Sequence, residues 1–322
     1  MKKILIYISK TKIFDLLYSA LIILPAYIFI AYRLIGSSRL PKTTKILKKI
    51  GVFPIRNHYY EPLFDSKLLS APLDDERLLP GINLNEIDQI NLLRRLHYAD
   101  EFRLLIENPL SNTTENFKFQ NGSFESGDAE FLYQFIRDLK PKKIIEIGSG
   151  NSTKIARHAL KRNFLENREN YKHICIEPYE QPWLESLSDI NIIRSKVEDV
   201  DIDWASALCS GDMLFIDSSH MIRPQGDVLK EYLEILPSLN SGVIIHIHDI
   251  FTPRDYLKSW VVDDVRFWNE QYLLEALLSS GTRYKVVASL NWLKHKYFSD
   301  LKKVCPYLTK EREPGSFYIK TQ

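Results

Sequence analysis

Cysteine is scarce in this chain. Cys175, Cys209 and Cys305 are the only three in 322 residues, and no CxxC pair occurs. That excludes a disulfide framework. Cys175 stands in an apolar, strand-like run and is expected to be a buried free thiol, which fits a reducing cytosolic compartment. Net charge is also nearly absent, +2 at neutral pH, so nothing points to nucleic acid as a partner. There is no internal repeat and no low-complexity tract. The phosphate-binding pattern GxxxxGK[ST] does not occur. The dinucleotide pattern GxGxxG is begun by Gly148 and Gly150 but fails at Thr153.

One stretch lacks charge altogether. Leu16–Tyr32, LLYSALIILPAYIFIAY, is 17 residues long, at the short end of what spans a bilayer. Pro25 would kink a helix there without forbidding it in lipid. Lys2, Lys3, Lys10 and Lys12 precede the run, and Arg33, Arg39, Lys42, Lys45, Lys48 and Lys49 follow it. The bias favours the C-terminal side as cytoplasmic. A cleaved signal peptide does not fit, because no small-x-small site follows. The expectation is membrane attachment through residues 16–32, spanning or lying in the interface. The competing reading is an apolar helix docked on the protein itself or on a partner.

What is present is an ordinary globular balance, 45% hydrophobic and 26% charged. Composition divides the chain into an apolar and basic lead (1–50), a proline-interrupted region (51–125) and a domain from 126 to 322. Within the middle region, Asn85–Leu105 has apolar residues at helical spacing and predicts one amphipathic helix. After Gly127, helices and strands alternate. Helices are predicted at 128–139, 153–165 and 226–235. Strands are predicted at 143–147, 173–177, 190–194, 213–217 and 243–249, with two further strands at 284–290 and 316–319. The alternation implies βαβ units in a mostly parallel, Rossmann-like sheet with helices on both faces, preceded by an N-terminal helical extension.

Acids recur at the carboxyl ends of these strands: Glu177, Asp217 and Asp249, with Glu146 just before the glycine turn IIEIGSGNST (144–153). In an open parallel sheet the ligand crevice lies outside those ends. A single such acid is ordinarily a helix cap, but four at matched positions suggest one shared cleft. Carboxylates crowd a pyrophosphate poorly and suit a cationic cofactor with ribose hydroxyls. S-adenosylmethionine (SAM) has both features.

Taken in order, IIEIGSGNST, ICIEP, MLFIDSSH and GVIIHIHDIF resemble class I SAM-dependent methyltransferases, specifically small-molecule O-methyltransferases with FIDxxH and HD segments. GVFPIRNHYYEPLF (51–64) and FWNEQYLL (267–274) resemble parts of one bacterial subfamily. The likeness spans roughly 51–320. The common glycine motif ExGxGxG departs here at Ser152, which could bond the cofactor or cap the next helix. The resemblance implies that Glu146, Gly148, Ser149 and Gly150 line the methionine end of SAM. It places Glu177 on the ribose and Glu198 with Val197 near the adenine. It implies a small-molecule acceptor; the expected reaction is O-methylation of a small molecule such as a sugar or glycolipid intermediate near a membrane. Removing the acceptor's proton needs a base or a metal. His220, His248 and Asp217 are the catalytic candidates, whereas His246 reads as a core histidine. Asp217 and Asp249 resemble the acids that hold magnesium in metal-dependent members. His58 and YYEP (59–62) either cap an acceptor pocket or pack. A second function class stays open: a membrane-attached binding or scaffolding protein on a degenerate methyltransferase fold, or another reaction on that fold.

Overall fold

The computed structural model describes residues 11–108, 116–179 and 181–322; Lys2, Lys3, Lys10 and Pro109 lie outside them. The chain forms two compact units, Met1–Ser70 and Ala71–Gln322. The division expected at 50 and 125 is therefore redrawn. Leu92, Leu93, Leu96 and Phe102 are buried in the same core as Phe131 and Ile136, so residues after 70 belong to the larger unit.

In the smaller unit, α1 (Lys12–Ile35) runs through Pro25 and ends at Gly36, whose φ is +100°. It is long and apolar enough to cross a membrane, with a mean hydropathy of 2.1 over its most apolar window. Its 24 residues extend the uncharged run by four on the N-terminal side and three on the other, for a length of about 36 Å. A second helix, α2 (Pro41–Ile50), follows and ends at Gly51 in the left-handed region.

In the larger unit, the single helix expected over 85–105 is two: α3 (Glu86–Arg95) and α4 (Ala99–Glu107). The break has a physical cause. Leu96 turns extended and is buried in the core, and the Tyr98 N–H donates to Oε1 of the buried Gln134 at 2.8 Å rather than to a helical carbonyl.

The sheet is built from β1 (Lys143–Ile147), β2 (Lys172–Ile176), β3 (Asn191–Ile193), β4 (Met213–Ile216), β5 (Ile244–Ile247), β6 (Tyr284–Ser289) and β7 (Phe317–Thr321). Its order is β3-β2-β1-β4-β5-β7-β6. Strands β1 to β5 pair in parallel, and β7 runs antiparallel between β5 and β6. The apolar strands serve two layers through their period of two. Ile144, Met213, Phe215 and Ile244 face one core; Ile145, Ile147, Leu214, Ile216, Ile245 and Ile247 face the other. Helices α5 (Asp128–Leu139) and α6 (Asn151–Asn167) pack together on the first side. On the second side, Val228, Tyr232, Ile235 and Leu274 are buried. They come from α7 (Asp227–Lys230), the π turn that continues it (Glu231–Ile235) and α8 (Glu270–Ser279). The chain steps outward from β1 to β3, then returns to place β4 on the other side of β1. A ligand crevice is expected at that switch, above the carboxyl ends of β1 and β4.

Candidate active site

The glycine turn leaves β1 at the switch point. Gly148 has φ +81°, which favours glycine, and a Cβ there would overlap the carbonyl oxygen of Asp217 at the end of β4. Gly148 is thus required by the protein's own packing. Gly150 differs: its φ of −165° is extended, and a Cβ would meet no protein atom within 4 Å. Thr153, where a third glycine would stand in a dinucleotide motif, binds the turn together. Its hydroxyl accepts from the Gly150 N–H at 3.0 Å and donates to Glu146 Oε2 at 2.5 Å.

Glu146 is fully buried. Its Oε2 lies 3.4 Å from His173 Nε2 and 3.6 Å from Cys175 Sγ. Burial opposes charge on His173, but Cys175 and Glu146 outweigh it and push the imidazole up to about 10. Glu146 therefore sits beneath the turn. Ser149 and Ser152 are buried as well, and Ser149 Oγ has no partner among the described residues.

A cleft of about 500 Å³ opens beside the turn. Gly148, Glu177, Val197, Glu198 and Asp217, all singled out in the sequence, line it together. Glu177 Oε2 accepts from the Ser149 N–H at 3.3 Å, and its Oε1 from the Tyr179 N–H at 2.9 Å. Sequence reasoning missed Tyr179, Lys196, Ser218, Ser219, Arg223 and Asp227, which also line it. Asp227 carried a signal, an acid at the first turn of a predicted helix; its carboxylate takes the Ser219 N–H at 2.9 Å and the Ser219 hydroxyl at 2.6 Å.

The second cluster lies at the ends of β4 and β5, which are neighbours. His220 and Asp249 both have left-handed backbones, φ +57° and +58°, an uncommon conformation often found at functional sites. His220 Nε2 lies 3.3 Å from Asp217 Oδ1 and 3.5 Å from Asp249 Oδ2. Its Nδ1 meets Glu270 Oε2 at 2.8 Å, and Trp268 covers the ring at 4.4 Å between centroids. Burial disfavours the imidazolium, yet Asp217, Glu270 and Asp249 together raise the His220 pKa well above its ordinary value. Burial likewise opposes charge on Asp217, but His248 and His220 hold its pKa below the usual carboxylate range.

His248 Nε2 is 3.4 Å from Asp249 Oδ1; burial works against its charge, while Asp249, Asp217 and Asp128 raise its pKa. His246 stacks on Phe215 at 4.1 Å and meets Ser316 Oγ at 2.9 Å. Burial, aided by His248, lowers its pKa well below the ordinary value, as suits a core histidine. Glu270, the first residue of α8, was missed as a site residue, although its segment FWNEQYLL was noted. Its other oxygen accepts from the Tyr232 hydroxyl at 3.1 Å.

The donor atoms of Asp217, His220 and Asp249 lie within 4.8 Å of one another. The set does not suit magnesium, which takes oxygen ligands in near-octahedral geometry. Only two carboxylates converge, and the third group offers an imidazole nitrogen. In the smaller unit, Glu61 of YYEP is held at about 2 by Arg33, against some burial, with Arg56 adding to the effect. Tyr59 and Tyr60 are exposed.

Comparison with known proteins places the chain. Residues 145–250 match a family described as a methyltransferase domain. An uncharacterized protein of Archaeoglobus fulgidus is 30% identical over 175 residues, covering 50% of this chain and 76% of that one. Over residues 145–250 the chain belongs to that methyltransferase-domain family. Two solved structures show a distant likeness. The O-methyltransferase TomG of Streptomyces achromogenes, from tomaymycin synthesis and bound to SAM, has a TM-score of 0.40 and 13% identity over 71% of this chain and 89% of its own. The O-methyltransferase of Bacillus cereus, bound to SAH, has a TM-score of 0.34 and 13% identity over 80% and 94%. Neither likeness bears on which acceptor this chain uses.

Proposed function

We propose that this protein transfers the methyl group of SAM to a hydroxyl of a small molecule, a sugar or glycolipid intermediate, at the cytoplasmic face of a membrane. The observation that carries the reading is His220, held by Glu270 on one nitrogen and facing Asp217 and Asp249 with the other, at the strand ends next to the glycine-turn cleft. Bound SAM supplies an electrophilic methyl group on a sulfonium. Glu177 would take the ribose hydroxyls, Val197 and Glu198 would meet the adenine, and the Gly148–Gly150 turn with Ser149 would hold the methionine end. The orphaned Ser149 hydroxyl and the carboxylates of the cleft fit a cationic, hydroxyl-bearing group.

The chain's remaining task is to take the acceptor's proton. Glu270 fixes the tautomer of His220 with a proton on Nδ1, leaving Nε2 as the base when the ring is neutral. Asp217 and Asp249 stabilise the imidazolium that results. No step requires a metal. His248, buried behind Asp249, acts on the charge of that pair. The α1 helix would insert into the bilayer and keep the catalytic unit on the cytoplasmic side. A scaffold on a degenerate fold has no need of the full set Glu146, Glu177, Asp217 and Asp249. Titration calorimetry with SAM tests the reading: micromolar binding supports an enzyme, and no binding rejects it.

A further inference from the structure

We propose that α2 is a headgroup-binding helix that lies on an anionic phospholipid surface. The idea rests on the reading of α1 as a bilayer helix and names what the chain does as it leaves the bilayer. No acidic residue occurs between Asp15 and Glu61, while Arg33, Arg39, Lys42, Lys45, Lys48, Lys49 and Arg56 do. Glu61, the first acid reached, is engaged by Arg33 at 2.7 Å and Arg56 at 2.9 Å. Among the described residues the four lysines of α2 make no ion pair, and all four are exposed.

At 100° per residue, Lys42, Lys45, Lys48 and Lys49 fall on one arc of α2, while Ile46, Leu47 and Ile50 fall on the other. Ile46 and Ile50 are 58% and 68% exposed and Leu47 is half-buried, so most of this apolar arc has no cover within its own unit. An apolar strip beside a purely basic strip is the pattern of a helix seated at the headgroup boundary. A second copy of the chain would bring lysines against lysines, which disfavours self-association through this face.

The helix is also fixed in place at the end of α1. The Tyr32 hydroxyl and Thr44 Oγ1 meet at 2.6 Å, and Thr44 Oγ1 donates to Ser37 O at 2.8 Å. Tyr32 is buried edge-on to Phe53, 6.1 Å away. The corner between the two helices is thus built from specific contacts and delivers the basic face next to the end of the apolar helix.

The test uses the full chain with Cys209→Ser, since Cys175 and Cys305 are buried, and Ile46→Cys carrying an environment-sensitive fluorophore. It is reconstituted in vesicles of phosphatidylcholine alone, or with about 30% phosphatidylglycerol, whose charge attracts basic segments. The label should report a dry setting, quenched by lipid-borne quencher, on the anionic vesicles and much less so on the neutral ones. Each Lys→Gln change in α2 should lower the docked-to-undocked ratio about fivefold. A label indifferent to lipid charge, in protein that resists alkaline carbonate extraction, overturns headgroup docking and leaves the anchoring of α1 intact. Protein stripped by carbonate whose label still follows lipid charge supports docking and rejects the anchor. A label already dry in detergent, in proportion to protein concentration, means that a second copy covers the face and overturns the proposal.

Discussion

His220 and Glu270 are 50 residues apart in sequence, yet their side chains meet at 2.8 Å, with the imidazole Nδ1 on the carboxylate. That contact joins the loop after β4 to the first residue of α8. It gives the imidazole one fixed partner and leaves its second nitrogen toward Asp217 and Asp249.

The first prediction concerns this pair. If neutral His220 is the base, kcat/KM rises with pH through an inflection well above 6.5, because the raised pKa keeps the ring protonated below it. Glu270→Gln removes one of the charges that raise that pKa, so the inflection moves to lower pH. His220→Ala lowers turnover about 10²- to 10⁴-fold, the usual contribution of a positioned base, with SAM affinity unchanged. Activity that falls as pH rises through that inflection would mean that the imidazolium is the working form.

Chelation separates base from metal. EDTA is expected to leave turnover unchanged, and Asp217→Asn to cost less than His220→Ala. Loss of activity in EDTA, restored by magnesium, would reassign Asp217 and Asp249 as ligands.

The cofactor side depends on Glu177. Glu177→Ala should weaken SAM binding roughly 10- to 100-fold, because hydrogen bonds to a charged group contribute about 1.5–3 kcal/mol. Calorimetry giving the wild-type Kd would remove Glu177 from the ribose.

The two glycines of the turn should behave differently. Gly148→Ala places a Cβ on the Asp217 carbonyl in a left-handed backbone and should destabilise the fold by about 1–3 kcal/mol or more in urea. Gly150→Ala should leave stability within about 0.5 kcal/mol, since its Cβ meets no protein atom. It should still weaken SAM binding if the cofactor approaches there.

Beneath the turn, His173 is pushed up to about 10 in the fold, above the ordinary histidine value near 6.5. A raised folded pKa stabilises fully below the unfolded value and loses that contribution as pH rises to the folded one. Unfolding free energy should therefore decline between about pH 6.5 and 10, and His173→Gln should flatten the decline. A parallel slope in both proteins would show that His173 is neutral in the fold.

Local pattern alone determined a large part of this protein. Apolar runs bounded by glycine and proline set β1 at 143–147 and α5 at 128–139 to the residue, because burial on both faces and helical spacing are properties of neighbouring residues. The strand-end acids and the apolar lead were legible for the same reason. The tertiary structure decided what depends on residues distant in the chain. The stretch 85–105 became two helices because Tyr98 is held by Gln134, and β7 entered the sheet antiparallel between β5 and β6. Glu270 joined the candidate site, and the raised pKa of His220 depends on three carboxylates from different parts of the chain: Asp217 after β4, Asp249 after β5 and Glu270 at the start of α8. Periodicity reports only which side of an element is buried. Which side chains then meet is set by strand order and loop closure, and charge in a buried site follows those meetings.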